Sequence, residues 1–364
     1  MPFRADHVGS LLRPAPLRDA RQRHAEGTLD AAGLAAVEDR EIERIVAKQA
    51  GVGLRSVTDG ELRRSWWHLD FLWGLDGVAE HQADFGTAFV GATPRTAGVR
   101  IDNKIGFSGH PMLEHYRFLH ARARGGVPKL TLPAPSALLG RPVLPPIDER
   151  AYPQRDEIYA DLGAAYRAAV RAFAAAGCRY LQLDEVFIAM LCDEKYRGKM
   201  VARGDDPDAL LHLYARLINE AIADAPEDMT VTLHLCRGNF KSAYMGAGGY
   251  DAVEDVLFNE IDVDGYFMEY DDERSGTFEP LRLLPKGKRV ALGLVTTKRG
   301  ALESKDALKR RIDAAARHAD LAQLCLAPQC GFSSTEEGNL LTEDEQWAKL
   351  ARVAQVAAEV WGDR

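Results

Sequence analysis

Cysteine is scarce in this chain of 364 residues, which contains five of them. A low, odd count argues against a disulfide framework and is typical of a reducing compartment. The opening stretch MPFRADHVGSLLRP has no basic segment followed by a sustained apolar run, so we expect no secretory signal. No segment approaches the roughly 18–20 apolar residues of a membrane helix. We therefore expect a cytoplasmic protein with no membrane partner.

Excess positive charge is also lacking. The chain has 46 Lys and Arg against 54 Asp and Glu, for a formal net charge of −8. Without a basic tract, binding to a nucleic-acid backbone is not expected. The 46% hydrophobic content excludes disorder as the dominant state.

Short apolar runs alternate along the chain with alanine-rich amphipathic segments. The predicted strands are Phe3–Gly9, Gly53–Thr58, Lys129–Pro133, Tyr180–Asp184, Thr230–Cys236, Gly265–Glu269, Arg289–Val295 and Leu324–Pro328. The predicted helices between and after them include Arg155–Ala176, Asp208–Ala223, Lys305–Ala319 and Glu343–Val360, where apolar residues recur every three or four positions.

Eight strands alternating with helices predict a single (β/α)8 TIM barrel, an α/β fold, as one domain over residues 1–364. The Gly-rich, polar alternation within residues 75–128 predicts a hairpin inserted after the second strand. A doubly wound open sheet is the alternative fold, but no GxGxxG motif follows the first strand.

The motif VTLHLCRGN is the most informative for chemistry. Residues two apart in a strand share a face, so His234 and Cys236 lie side by side at the carboxyl end of their strand. Active sites of barrels are built at this end. By itself the pair is weak evidence for a metal site, because such a pair is more often a buried cysteine beside a hydrogen-bonded histidine.

Glu269 ends the next predicted strand, and Cys330 follows the last one in the loop PQCGF. With His234 and Cys236 they form a set of nitrogen, sulfur and carboxylate ligands that suits one tetrahedral zinc ion per chain. The other cysteines, Cys178, Cys192 and Cys325, are interpreted as small buried hydrophobic residues.

These residues resemble the cobalamin-independent methionine synthase family, in particular its short single-barrel members. The matching positions are His234, Cys236, Glu269, Arg274, Ser275 and Cys330. The resemblance implies that His234, Cys236, Glu269 and Cys330 bind a catalytic zinc, which activates the thiol of homocysteine for methyl transfer. It covers nearly the whole chain but matches only the C-terminal, zinc-bearing half of the long enzyme.

Three further stretches carry the resemblance: HVGS ending at Ser10, TDGE ending at Glu61 and QLDE containing Asp184. By resemblance, Glu61 and Asp184 bind the ammonium group of the substrate, and Ser10 binds its carboxylate. Taken alone, TDGE is equally compatible with a turn at a strand end, and QLDE with a helix cap.

Two departures from the family concern the methyl donor. The sequence VTTKRG has a threonine near position 296 where the family has a proton-donating histidine, and no tryptophan follows the third strand. Trp66 and Trp67 are candidates for the donor side, with core packing as the alternative. No catalytic residue beyond the zinc site is assigned, and the oligomeric state is not predicted.

The sequence thus predicts a zinc-dependent thiol S-methyltransferase that forms methionine from homocysteine. The methyl donor is 5-methyltetrahydrofolate or another donor, including one delivered by a corrinoid protein. The alternatives are alkyl transfer to a different thiol, for example coenzyme M attacking an epoxide, a uroporphyrinogen decarboxylase-like enzyme, and a zinc-stabilised scaffold. The zinc set counts against the decarboxylase, and ligands from separated loops count against a scaffold.

Overall fold

The computed structural model of the protein describes residues 2–82, 89 and 96–362. Within these residues the strands are β1 (Ser56–Val57), β2 (Asp76–His81), β3 (Gly98–Gly106), β4 (Val127–Pro128), β5 (Leu130–Pro133), β6 (Tyr180–Glu185), β7 (Thr230–Leu235), β8 (Gly265–Glu269), β9 (Arg289–Val295) and β10 (Leu324–Pro328). The strands predicted from residue 129 onward lie within one or two residues of those observed.

The α-helices of the described residues lie between and around these strands. They are α1 (Ala15–Ala25), α2 (Ala31–Gly51), α3 (Leu69–Leu72), α4 (Met112–Arg122), α5 (Arg155–Ala175), α6 (Phe187–Met190), α7 (Glu194–Ala202), α8 (Pro207–Ile222), α9 (Glu254–Asn259), α10 (Lys305–Ala315) and α11 (Glu343–Trp361). Their starts have local causes. The Asp206 side chain caps α8 ahead of Pro207, and Thr342 and Glu345 form a capping box at α11.

A six-stranded parallel sheet forms the centre of the molecule, in the order β10-β9-β8-β7-β6-β5. Both faces of its strands are buried, as expected when helices cover a parallel sheet. The α/β class with a parallel sheet is therefore confirmed.

Two further segments continue this sheet at its ends. At one end, β1 pairs in parallel with β4, which runs directly into β5. At the other end, the Asp6 amide donates to the Leu326 carbonyl (3.1 Å), and the Leu326 amide donates to the Arg4 carbonyl (2.8 Å). The same N-terminal segment also contacts the loop after β1, because the Leu11 amide donates to the Gly60 carbonyl (3.0 Å).

An antiparallel pair, β2 with β3, falls within residues 75–128, and α4 follows it in the same range. Residues 83–88 and 90–95, part of the inserted hairpin expected from the sequence, lie outside the described residues. Among the described residues, no helix is both long enough and apolar enough to cross a membrane.

Candidate metal centre and ligand cavity

Four side chains from three strand ends meet in the interior. His234 lies within β7 and Cys236 directly after it, Glu269 is the last residue of β8, and Cys330 follows β10 by two residues. Because β7 pairs with β8, and β9 joins β8 to β10, the parallel register brings these ends to one edge of the sheet. Their candidate ligand atoms all lie within 4.8 Å of one another, and all four residues are buried.

The geometry of this cluster, which we call the donor set, fits a tetrahedral zinc ion. The sulfur atoms of Cys236 and Cys330 are 3.5 Å apart. Two thiolates on a tetrahedral zinc, each with a bond of about 2.3 Å, would lie about 3.8 Å apart. His234 Nδ1 lies 3.3 Å from the Phe267 carbonyl, while the buried Nε2 has no hydrogen-bond partner. Such an atom is available as a metal ligand.

Neighbouring groups hold the acidic members of the donor set in place. The Arg237 amide donates to Glu269 Oε1 (2.9 Å), and the Arg274 guanidinium donates to Oε2 (3.4 Å). The Gly238 amide donates to Cys236 Sγ (3.3 Å). Donors aimed at a carboxylate and at a sulfur favour their charged forms, which are the forms that bind a metal.

The two thiols share a proton unequally. The hydrogen bond from Cys236 lowers the pKa of Cys330, and the same contact raises the pKa of Cys236. Burial raises the pKa of Glu269, although Lys298 and Arg274 oppose this. In the absence of a cation, three acidic groups so close together cannot all be ionised.

A cavity of about 530 Å³ opens onto the donor set. Of the site residues predicted from the sequence, those that line it are Ser10, Glu61, Trp66, Trp67, Asp184, His234, Cys236 and Cys330. Glu269 does not line the cavity and is fully buried. Residues from the first to the last strand segments therefore face one space.

Glu61 brings an unsatisfied carboxylate oxygen to this cavity. Its Oε1 accepts from Thr131 Oγ1 (2.7 Å) and lies 3.3 Å from the Arg64 guanidinium. Its buried Oε2 has no hydrogen-bond partner. The backbone of Glu61 adopts φ 57°, a left-handed conformation that is uncommon for residues other than glycine and is often found at functional sites.

Asp184 is the second carboxylate of the cavity. Its Oδ1 accepts from Gln182 Nε2 (2.7 Å), and Gln182 also donates to the Val8 carbonyl (2.7 Å). Burial raises the pKa of Asp184 to about 7, and the nearby charge of Glu61 adds to this increase. Two buried carboxylates in the wall of one cavity offer an environment that favours a cationic group.

Of the other residues singled out in the sequence, Ser10 and Trp67 line the cavity and Thr296 does not. Ser10 accepts a hydrogen bond from the Ser333 amide (3.4 Å), and Trp67 packs on the ring of His68 with centroids 4.4 Å apart. Thr296 does not line the cavity, because its hydroxyl donates to Asp271 (2.8 Å) and its amide donates to Glu303 (3.0 Å).

Sequence reasoning missed several polar residues of the cavity wall. His68 and Asn239 line the cavity, and Arg141 lies beside His68. The Asn239 amide nitrogen donates to the Gly331 carbonyl (2.7 Å), next to Cys330. Two signals in the sequence could have identified them. His68 directly follows Trp66 and Trp67, and Asn239 comes three residues after Cys236.

Comparison with known proteins identifies the family. Residues 3–358 match the family described as cobalamin-independent synthase, catalytic domain. The chain belongs to the cobalamin-independent methionine synthase family. The resemblance inferred from the motifs is therefore confirmed.

Relatives of similar length include two uncharacterized Bacillus subtilis proteins, YxjH and YxjG. Each is 49% identical over 362 residues, covering 99% of this chain and 95% of the relative. A solved structure from Listeria monocytogenes, described as that of a candidate vitamin-B12 independent methionine synthase, has a TM-score of 0.80 at 37% identity, over 99% of this chain and 98% of the other.

A B12-independent methionine synthase from Shewanella, solved in complex with selenomethionine, has a TM-score of 0.73 at 18% identity. The alignment covers 99% of this chain and 98% of that one. At this level of identity the likeness supports the fold alone. The Listeria and Shewanella chains therefore share the fold of the present protein.

Proposed function

We propose that this chain is a zinc-dependent thiol S-methyltransferase that converts homocysteine to methionine. The observation that carries the proposal is the buried donor set of His234, Cys236, Glu269 and Cys330 at the wall of the cavity that also contains Glu61 and Asp184. A thiol-activating centre and a site for an ammonium group thus share one space. Membership of the family supports the same reaction.

The donor set would hold one zinc ion per chain, which supplies the charge that keeps a substrate thiol deprotonated at neutral pH. His234 presents a free ring nitrogen, and the two cysteines present sulfur atoms that already face each other. Arg237 and Arg274 hold the Glu269 carboxylate toward the set. Ligands of this kind make the centre electron-rich, which favours a nucleophilic sulfur over an activated water.

Glu61 and Asp184 bind the ammonium group of the amino acid, and Ser10 binds its carboxylate. The unpartnered Glu61 Oε2 accepts one N–H, and Asp184 loses its proton when the cation arrives. Binding both ends of the amino acid places the thiol at the donor set. Holding the thiol and an electrophilic methyl group in register accounts for much of the rate of such a displacement.

The methyl donor occupies the part of the cavity beside Trp66 and Trp67. Several other apolar side chains also line the cavity: Val186, Phe187, Met190, Phe240 and Met245. An apolar wall suits 5-methyltetrahydrofolate, which we propose as the donor. Thr296 takes no part in proton transfer in this proposal, because its hydroxyl is engaged by Asp271.

We also propose that the eight strand segments close into a (β/α)8 barrel with β2 and β3 as an insertion. The pairing of β10 with residues 4–6 and of β1 with β4 supports closure, as does the hydrogen bond from Leu11 to Gly60. In such a barrel the donor set would lie at the carboxyl ends of the strands, where active sites form. A cytoplasmic location stays a prediction.

The first experiment measures zinc per chain in the wild-type protein and in Cys236→Ser and Cys330→Ser. Cys325→Ser is the matched control, because Cys325 is equally buried but lies within β10, away from the donor set. We expect about one zinc per wild-type and Cys325→Ser chain, and loss of most of the zinc from the Cys236→Ser and Cys330→Ser chains.

Zinc-edge absorption before and after adding homocysteine then tests the substrate. A new zinc–sulfur contact is expected in the wild-type protein. Zinc without any response to homocysteine, but with a response to coenzyme M, would favour alkyl transfer to a different thiol. Full zinc occupancy in Cys236→Ser and Cys330→Ser would refute the proposed centre.

A further inference from the structure

His68 is a buried histidine in the cavity wall that no step of the proposed reaction uses. It directly precedes α3 and is 3% exposed, and its Nδ1 atom has no hydrogen-bond partner. A buried polar atom left unsatisfied in a cavity wall is expected to meet a ligand or a water molecule. Its role there depends on whether it donates or accepts a hydrogen bond.

Arg141 fixes the tautomer of His68. The Arg141 guanidinium contacts His68 Nε2, and a guanidinium only donates hydrogen bonds. The Nε2 atom must therefore accept, so the proton of the neutral ring is on Nδ1. Burial lowers the pKa of His68 well below its usual value, and the charge of Arg141 lowers it further. His68 thus offers one N–H donor over the physiological pH range.

Two tryptophan rings pack against the His68 ring and fix its position. The Trp67 ring packs on His68 with centroids 4.4 Å apart and planes inclined by 34°. The Trp66 ring meets it edge-on, with centroids 6.2 Å apart and planes inclined by 88°. The Trp67 amide donates to the Ser334 carbonyl (2.9 Å), which ties this segment to the loop after Cys330. A fixed N–H therefore lies beside flat aromatic surfaces.

We propose that His68 Nδ1–H donates a hydrogen bond to a ring nitrogen or carbonyl oxygen of a planar methyl donor lying against Trp66 and Trp67. The inference rests on the proposed function, in which the donor shares the cavity with the thiol. A hydrogen bond beside an aromatic surface selects flat, heteroatom-bearing molecules. S-methylmethionine, a small sulfonium donor, has no planar ring to lie against Trp66 and Trp67, so its binding should not depend on His68.

The test compares the zinc-loaded wild-type chain with His68→Asn and His68→Leu. Asparagine places an amide N–H near the position of Nδ1, whereas leucine has no donor. The matched control is His212→Leu, because His212 is exposed on α8 and pairs with Glu260. Calorimetry measures the affinity for the folate donor, 5-methyltetrahydrofolate. Steady-state kinetics give kcat and KM for methionine formation with this donor and with S-methylmethionine.

We expect His68→Leu to raise both Kd and KM for the folate donor about tenfold, the effect of losing one hydrogen bond, and His68→Asn to remain within about threefold of wild type. The response of the zinc edge to homocysteine should be unchanged in all variants. The values of kcat and KM with S-methylmethionine should be the same in His68→Leu as in wild type.

Three results would overturn the inference. They are wild-type affinity in His68→Leu, an equal loss for both methyl donors, and no binding of the folate donor by a wild-type chain that responds to homocysteine. Failure of the wild-type chain to bind zinc or to respond to homocysteine would instead refute the proposed function, so the two failures are distinguishable.

Discussion

Glu61 and Asp184 are two buried carboxylates in the wall of one cavity, and their energies depend on what the cavity contains. Without a cation, burial raises the pKa of both groups. Arg64 and Thr131 compensate only Oε1 of Glu61, which leaves Oε2 unsatisfied. A bound ammonium ion would replace the water that both carboxylates have lost.

Replacing Glu61 by glutamine separates substrate binding from metal binding. The change keeps the size of the side chain but removes the charge, so we expect homocysteine to bind about 30–100-fold more weakly, as for the loss of a charge-assisted hydrogen bond. Zinc content should remain that of the wild type. Titration calorimetry with homocysteine and metal analysis of the same samples measure both quantities.

The control for this prediction is Glu227→Gln, which changes an exposed glutamate in the turn before β7. It should leave homocysteine affinity unchanged. A fall in zinc content in Glu61→Gln would contradict the separate roles of Glu61 and the donor set.

At the scale of elements, the donor set depends on how closely β8, β9 and β10 approach one another. Gly293 of β9 pairs with Glu269 of β8 and with Ala327 of β10. A Cβ atom at Gly293 would lie 2.7 Å from the Met268 carbonyl oxygen and 2.8 Å from the Gln329 Cα. Both are backbone atoms, so the strands themselves would have to move where they position Glu269 and Cys330.

The variant Gly293→Ala is therefore expected to lower zinc affinity at least tenfold, because ligand geometry is lost when a strand shifts by a few tenths of an ångström. Competition with a chelator measures the affinity. Gly198→Ala is the control, since a Cβ at Gly198 in α7 meets nothing within 4 Å. Equal zinc affinities in the two variants would show that the strand spacing is not needed.

At the scale of the whole molecule, buried histidines link stability to pH. His110 accepts a hydrogen bond from the Met112 amide (3.0 Å) and donates one to the Phe71 carbonyl (3.1 Å), so its ring is neutral. Burial lowers its pKa to about 4, whereas the unfolded chain has the ordinary value of about 6.5. The unfolded state therefore binds the proton more tightly, and stability is lost as pH falls from about 6.5 to about 4.

We expect the free energy of unfolding to fall less in His110→Gln than in wild type between pH 7 and pH 4.5. The difference should be about 2 kcal/mol, because the variant has no histidine at this position to protonate. Urea unfolding at both pH values measures it, and contributions shared by the two proteins cancel. Parallel losses of stability would mean that His110 is not neutral in the folded chain.

The local features of this protein could be predicted from its sequence. Apolar runs and amphipathic periods located the later strands and helices, because side-chain burial repeats with the geometry of each element. They also predicted the α/β class with parallel strands. The spacing of His234 and Cys236 and the strand-end position of Glu269 identified candidate ligands, because a strand alternates its faces.

The contacts between groups that are distant in the sequence depend on the folded structure. The Arg274 contact with Glu269, the tautomer that Arg141 imposes on His68 and the unpartnered oxygen of Glu61 follow from distances between chain segments. No periodicity encodes such distances, since they depend on how far each strand extends and how its neighbours pack. The chain thus specifies its strand ends locally, whereas the cavity that joins them exists only in the folded molecule.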